Sequence, residues 1–243
     1  MTSRRRADLL LVERGLFESR AKAQAAIGAG LVTAGDVPVR KASEEIPIDA
    51  ALRAEAAHPW VSRGGVKLAA ALDHFGFDPR DHVCLDVGAS IGGFTQVLLA
   101  RGARRVYAVD VGREQLHASL RREPRVMPFE QTDIRGIAPG RLPEPPDFVT
   151  VDVSFISLKL VLPAAIALVH PPARMIALIK PQFEAGRRHL KKGIVRDPQV
   201  HAAVCEDIAG FVATLGWAVA GVIPSPIAGG DGNREFLLGA ARG

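Results

Sequence analysis

Cysteine is nearly missing from this chain: Cys84 and Cys205 are its only two. Both sit in apolar surroundings, with no CxxC spacing and no nearby pair of histidines, which disfavours a zinc site or a disulfide framework. They read as small core residues, and no metal is expected. Long apolar runs are also missing. The best candidate, Leu160 to Val169, is broken by Pro163 and closed by Pro171, well short of the roughly 18 residues that a spanning helix needs. The N-terminus carries Arg4, Arg5 and Arg6 but no uninterrupted apolar segment with a small-residue cleavage site behind it, so no secretory signal is expected. There is no internal repeat and no low-complexity tract. Together these absences point to a soluble, cytoplasmic protein, expected to be a monomer.

What the sequence does have is enough apolar material for a full core. With 243 residues, 48% of them hydrophobic, it can bury one α/β sheet and still build a small accessory domain. The formal charge is +5, which favours a polyanionic partner. The basic residues fall in two places. Arg4, Arg5, Arg6, Arg14, Arg20 and Lys22 load the first segment, and Arg187, Arg188, His189, Lys191 and Lys192 load a later loop. Two separated basic surfaces suit a long nucleic acid better than a small anion; the competing explanation is two solvated faces that keep the protein in solution.

The first 57 residues read as a small α+β module. Leu9, Leu10 and Val12 fall at helical spacing and Gly15 supplies a stop. Ser19 is placed to cap a second helix through RAKAQAAIGA, with Ala23, Ala26 and Ile27 on one side and Gly30 at its end. LVT and VPVR around Ala34, Gly35 and Asp36 then read as a β-hairpin. This stretch resembles the S4 domain, an RNA-binding module, through Asp8, Ser19, Arg20, Ala23, Ile27, Gly30, Val32 and Gly35. The resemblance implies that the second helix and its flanking loop face RNA through Arg20 and Lys22, with Arg4 and Arg6 in the same basic segment. Ala7 stands where the family usually has leucine, a departure that bears on packing more than on binding.

From residue 58 to 243 the pattern changes. HVCLDV, RVYAVD, DFVTVDV and RMIALIK are apolar, β-branched runs separated by helical patterns, as in a doubly wound, mostly parallel sheet. WAVAGVIPS and EFLLGAA read as a closing antiparallel pair, which makes a Rossmann-like fold of seven strands. The first strand ends in Asp86 and runs through VGASIGGF into a helix. Glycines at 88, 92 and 93 let the backbone approach a ligand and free the helix N-terminal N–H groups. A dinucleotide would call for a central glycine where Ser90 stands, and an acidic Asp86 would repel its phosphates. The turn suits a cofactor with an ammonium and a sulfonium instead, S-adenosylmethionine. Asp86, Gly88, Ala89, Ser90, Gly92, Gly93 and Phe94 form the expected cofactor turn. Asp110, with Val111, ends the second strand where it can meet ribose hydroxyls, and Asp133 is expected at the adenine edge. A rival reading is available: residues 88 to 92 also satisfy the GxSxG elbow of α/β-hydrolases, with Ser90, Asp152 and His201 in the right order. That class needs several strands before the elbow, whereas here the motif follows the first.

Asp152 ends the fourth strand, Lys180 the fifth, Glu235 opens the last, and Lys67 lies in SRGGVKL before the sheet. Any one of them alone reads as an ordinary solvated group. As a set in WVSRGGVKL, LDVGASIGGFT, VYAVDVG, VDVSFIS, LIKPQFE and GNREF, they resemble the FtsJ-type 2′-O-ribose methyltransferases. Joined to an S4 domain, the combination resembles the TlyA family, once labelled haemolysins and now regarded as ribosomal RNA methyltransferases. The resemblance implies a catalytic Lys-Asp-Lys-Glu tetrad at Lys67, Asp152, Lys180 and Glu235, with Asp152 also near the cofactor. It implies methylation of a cytidine 2′-hydroxyl in ribosomal RNA or ribosomal subunits, with Arg63, Arg187, Arg188, Lys191 and Lys192 on the RNA side. The chain stops at Gly243 without the extension of longer family members, which favours 23S over 16S RNA. The linker His58-Pro59-Trp60 departs from the family's usual Arg-Ala before the Trp.

A ribose hydroxyl is a poor acid, so methyl transfer needs its proton removed or its developing oxyanion steadied. Lys180 is the candidate, either as a neutral base favoured by a neighbouring Lys67 or as a fixed cation. Asp152 and Glu235 would orient the lysines. Two other classes stand beside this one: an inactive methyltransferase fold that only binds RNA, and a membrane-active haemolysin, for which the chain lacks the amphipathic length or the lipid-facing strand pattern.

Overall fold

The computed structural model describes residues 3–229 and 231–243. It divides into two compact units, Met1–Pro59 and Trp60–Gly243.

In the first unit, β1 (Arg4–Arg6) leads directly into α1 (Ala7–Glu13), and α2 (Arg20–Gly28) follows. Ser19 caps α2, its side chain accepting from the Lys22 N–H at 3.3 Å. The hairpin forms from β2 (Val32–Ala34) and β3 (Val37–Pro38). Leu10, Leu11, Phe17, Ala23, Ala26, Ile27, Val32 and Ile46 make its small core. Two strand pairings went unforeseen: β1 with β4 (Glu45–Pro47), and β2 with β5 (Leu52–Ala54), all antiparallel. Three-residue strands are too short to show a period, and in β1 all three residues are arginine.

Asp8 is fully buried at the start of α1. It accepts from Arg6 Nε and Nη2 at 3.0 and 3.1 Å, Arg20 Nη2 at 3.0 Å and Gln24 Nε2 at 2.8 Å. Of the residues expected to face RNA, Arg6 and Arg20 therefore brace a carboxylate and Lys22 pairs with Glu18 at 2.7 Å, while Arg4 is exposed.

The second unit opens with α3 (Gly64–Phe75), then β6 (Val83–Val87), α4 (Gly93–Ala100), β7 (Arg105–Val109), α5 (Ala118–Arg121) and β8 (Val126–Phe129). After β9 (Phe148–Val151) come α6 (Leu158–Ala167), β10 (Ala173–Ile179), α7 (Pro181–Glu184), α8 (Pro198–Thr214), β11 (Ala218–Pro224) and β12 (Phe236–Arg242). The seven strands lie in the order β11-β12-β10-β9-β6-β7-β8. The five from β10 to β8 run parallel, and β12 pairs antiparallel with both β10 and β11.

The sheet is covered on both faces, which is why its strands read as near-continuous apolar runs. Leu68 and Leu72 of α3 with Val97 and Leu98 of α4 pack one face, together with Cys84, Ile176 and Leu178. Leu158 and Leu162 of α6 with Ile208 and Val212 of α8 pack the other, together with Leu85, Val87, Ala177 and Ile179. Truncating one of these fully buried leucines to alanine would cost about 2–5 kcal/mol. Strand order reverses between β6 and β9, and open α/β sheets bind ligands in that crevice, beyond the strands' C-terminal ends.

Candidate active site

A cavity of about 340 Å³ opens at the reversal. The ends of β6, β7 and β9 supply Gly88, Asp110 and Asp152, and the following loops supply Ser90, Val111, Asp133, Ser154 and Phe155. Its walls are mostly apolar, including Val87, Val109, Ile134, Val153 and Ile156, while three carboxylates and no lysine or arginine line it. Apolar walls with acidic points suit adenosine and a sulfonium and disfavour a pyrophosphate, so the residues present fit S-adenosylmethionine.

Gly88 has φ +83°, and a Cβ there would lie 2.2 Å from the Asp152 carbonyl oxygen, so only glycine allows β6 and β9 to close at this point. Asp110 accepts from the Ser90 N–H at 2.8 Å and from the Gly112 N–H at 2.7 Å, which fixes its carboxylate on the cavity wall with lone pairs to spare. Asp133 lines the cavity, but its carboxylate also grips Arg135 at 2.6 Å, and that pairing holds it below the usual carboxylate range.

The expectation for Asp86 is corrected. It is fully buried beneath α4, accepting from the Thr95 hydroxyl at 2.6 Å and the Thr150 hydroxyl at 2.9 Å, and it does not line the cavity. Strand side chains alternate, so Val87 takes the cavity face and Asp86 the opposite one. Burial pushes its carboxyl up to about 7. The negative points at the site are Asp110, Asp133 and Asp152. Ala89, Gly92, Gly93 and Phe94 are likewise absent from the wall: Gly92 lies against Leu120 and Leu116, Gly93 against Ser62, and Phe94 is core.

The four expected catalytic residues gather at the same sheet edge as two ion pairs. Lys180 Nζ lies 2.6 Å from Asp152 Oδ1, a close charge pair that is poorly aligned as a hydrogen bond, and 2.8 Å from Ser154 Oγ. Lys67, on the first turns of α3, pairs with Glu235. Ile179 and Phe236 are partners across β10 and β12, so Lys180 and Glu235 continue the two strands from one register position. Lys67, Lys180 and Glu235 are all buried.

Sequence reasoning passed over Ser154 and Phe155, although both stand in the VDVSFIS motif. Phe155 is 90% exposed, has φ +63° and leans on Phe183 with ring centroids 5.0 Å apart. An exposed aromatic held in a sparsely allowed conformation at a cavity rim points to function, because packing does not explain it. Glu184 closes the same loop by accepting from Ser157 Oγ at 2.5 Å and the Leu158 N–H at 2.8 Å. Burial raises its carboxyl.

Among the basic residues, Arg63 is exposed at the start of α3, and Arg187, Arg188, Lys191 and Lys192 are exposed on the loop before α8. The hydrolase reading loses its base: His201 is buried, its Nε2 on the Val195 carbonyl at 3.0 Å, and it does not line the cavity with Ser90 and Asp152. Among the described residues no helix is long and apolar enough to cross a membrane, and no cluster of three or more acidic, His or Cys side chains could hold a metal.

A sheet of this order, a glycine turn at its reversal and an acidic, apolar-walled cavity define an S-adenosylmethionine-dependent methyltransferase. Comparison with known proteins narrows the class. The FtsJ-like methyltransferase profile matches residues 60–242, and the chain belongs to that family. It is 48% identical to a candidate rRNA methyltransferase of Bacillus subtilis, YqxC, over 98% of this chain and 86% of the relative. It is 43% identical to the 16S/23S rRNA (cytidine-2′-O)-methyltransferase TlyA of Mycobacterium tuberculosis, over 98% of this chain and 90% of the relative. A solved structure from Streptococcus thermophilus, described as a candidate hemolysin, is 41% identical with a TM-score of 0.79, covering 100% of this chain and 90% of that one.

Proposed function

We propose that this protein methylates the ribose 2′-hydroxyl of a cytidine in ribosomal RNA, acting as a monomer in the cytoplasm, with the 23S molecule the first substrate to test and the 16S molecule the second. The observation that carries the reading is Lys180 held between Asp152 and Ser154, two residues that line the cofactor cavity. The name of the M. tuberculosis relative supports the choice of nucleotide and RNA.

S-adenosylmethionine, when bound, supplies a methyl group on a sulfonium. Gly88, Ser90, Asp110 and Asp133 would hold it, and Asp152 would face its positive end. Lys180 as an ammonium has three donors. Asp152 holds its charge and Ser154 accepts one of them, leaving a donor for the 2′-oxygen, where it steadies the charge that develops as the hydroxyl proton is lost to water and the oxygen takes up the methyl group. The Lys67–Glu235 ion pair would help to hold the ribose in place. Phe155 offers its exposed ring to a base turned out of the RNA, an interaction worth about 1–3 kcal/mol. The basic groups Arg63, Arg187, Arg188, Lys191 and Lys192 serve phosphates, and the S4-like first unit would add the exposed Arg4, with the outer faces of Arg6, Arg20 and Lys22 beyond their pairing to Asp8 and Glu18.

Lys180→Met removes the donors and keeps the stem. Transfer of labelled methyl to ribosomal RNA from cells lacking the gene should fall at least 100-fold, about 2.7 kcal/mol of transition-state stabilisation, with cofactor affinity nearly unchanged. Mass spectrometry of the digested RNA names the nucleotide. Activity retained in Lys180→Met, or methyl found on a base, would overturn the reading.

A further inference from the structure

Asn233 takes no part in the chemistry above, yet the residue is 1% exposed and its amide is bonded at both ends. Oδ1 accepts from the Val195 N–H at 3.1 Å, and Nδ2 donates to the Gly193 carbonyl at 3.0 Å. Both partners belong to the basic loop, some 40 residues earlier in the chain. There, Lys191 and Ile194 exchange backbone hydrogen bonds at 3.0 and 3.1 Å around Lys192 at φ +53° and Gly193 at φ +78°. Two central residues with positive φ make a type I′ turn, with Lys191 and Lys192 exposed at its tip. A long side chain such as Lys192 rarely adopts that φ, so the turn persists because its surroundings hold it. The Asn233 amide holds one side of it, and His201 Nε2, on the Val195 carbonyl at 3.0 Å, anchors the segment that leaves it.

The other half of Asn233's surroundings is the Glu235 site. The Asn233 backbone carbonyl accepts from the Gly229 N–H at 2.9 Å. Gly229 lies directly on Glu235: a Cβ added at Gly229 would come within 2.4 Å of Glu235 Oε1. Glu235 is two residues further on, paired with Lys67.

We propose that Asn233 is a positioning residue that sets the Lys191–Ile194 turn and the Glu235–Lys67 pair in one frame. An RNA phosphate gripped by Lys191 and Lys192 then fixes where the target ribose stands relative to Glu235. Binding energy from a phosphate remote from the reacting atoms is thereby spent on alignment, and alignment is worth large factors in rate. The inference rests on the proposed function.

The test uses the full chain and ribosomal RNA from cells lacking the gene. Asn233→Asp keeps the acceptor for Val195 and loses the donor to Gly193; Asn233→Ala loses both. Each should lower kcat/KM for RNA tenfold or more, through kcat as well as KM, with S-adenosylmethionine affinity within twofold of wild type. Neutralising Lys191 and Lys192 to Gln should raise KM in the wild type but add little in the Asn233→Asp background, because the turn they ride on is already loose. A purely structural role predicts additive losses, which would overturn the proposal, as would kcat/KM within twofold of wild type. Amide hydrogen exchange on the same variants reads the link without any turnover. Exchange should speed up together in residues 191–196 and 231–236; acceleration in one segment alone would overturn the link. A wild type with no transfer at all would count against the proposed function, and the exchange result would still decide the role of Asn233.

Discussion

In the first unit a fully buried aspartate, Asp8, is met by two guanidinium groups and an amide; in the second an equally buried one, Asp86, is met by neutral groups, the hydroxyls of Thr95 and Thr150 and the Thr95 backbone N–H. Their titrations move in opposite directions. The hydrogen bond from Arg6 takes Asp8 well below the ordinary carboxylate range, with Gln24 and Arg20 adding to it against a smaller cost of burial. Desolvation takes Asp86 up to about 7, and the two hydroxyls only moderate it. Loss of water does not by itself decide whether a carboxylate keeps its charge; the charge of whatever replaces the water does. Asp8 is sealed in largely by the arginines that neutralise it, whereas Asp86 is sealed in by the sheet and α4, which offer dipoles alone.

The largest effect that would sharpen this contrast lies in the pH dependence of the second unit. Asp86 binds a proton more tightly folded than unfolded, so stability is highest below the unfolded value near 4 and falls as pH rises to about 7. Three pH units correspond to about 4 kcal/mol. Asp86→Asn should abolish that slope and leave the second unit more stable than wild type at pH 8, as read by chemical unfolding at a series of pH values. An unchanged slope would mean that Asp86 is ionised throughout.

A smaller effect is expected from Asp8→Ala. The arginines it releases are half exposed and recover water, so the cost should be about 2 kcal/mol, below that of breaking a wholly interior pair. The loss should appear in the first unit's unfolding transition. Here the sign reverses: the depressed group stabilises above its unfolded value near 4 and loses that contribution as pH falls further. The difference between wild type and Asp8→Ala should therefore shrink only in acid. Smallest is Thr150→Val, which deletes one hydroxyl at nearly constant volume. It should cost about 1 kcal/mol at pH 8 and less at pH 4, where the carboxyl carries its own proton.

Much of the second unit was legible because parallel strands buried on both faces announce themselves as apolar runs, and because the groups that do chemistry punctuate the ends of those runs. Asp152, Lys180 and Glu235 could be picked out on that ground, and their convergence follows from topology. The same burial hid the facing of Asp86: a strand apolar on both sides has no polar alternation to tell which side holds the cavity, so adjacency to the glycine turn was mistaken for access to it. Ser154 and Phe155 depend on how one loop folds back, and the positive φ of Phe155 leaves no mark in composition. Asn233 is further out of reach, since its partners Gly193 and Val195 are joined to it only in three dimensions. In the first unit the helices showed through their caps and periods, while β1, β4 and β5 were too brief to show at all.

The strand order also has a temporal side. Synthesis delivers β6, β7 and β9 first, and with them every strand end that lines the donor cavity. β12 arrives later and must slide between β10 and β11, which are joined in the sheet only through it. The carboxylate that pairs with Lys67 therefore comes immediately before the last strand of the sheet in chain order, so the Lys67–Glu235 pair forms only once the sheet is complete.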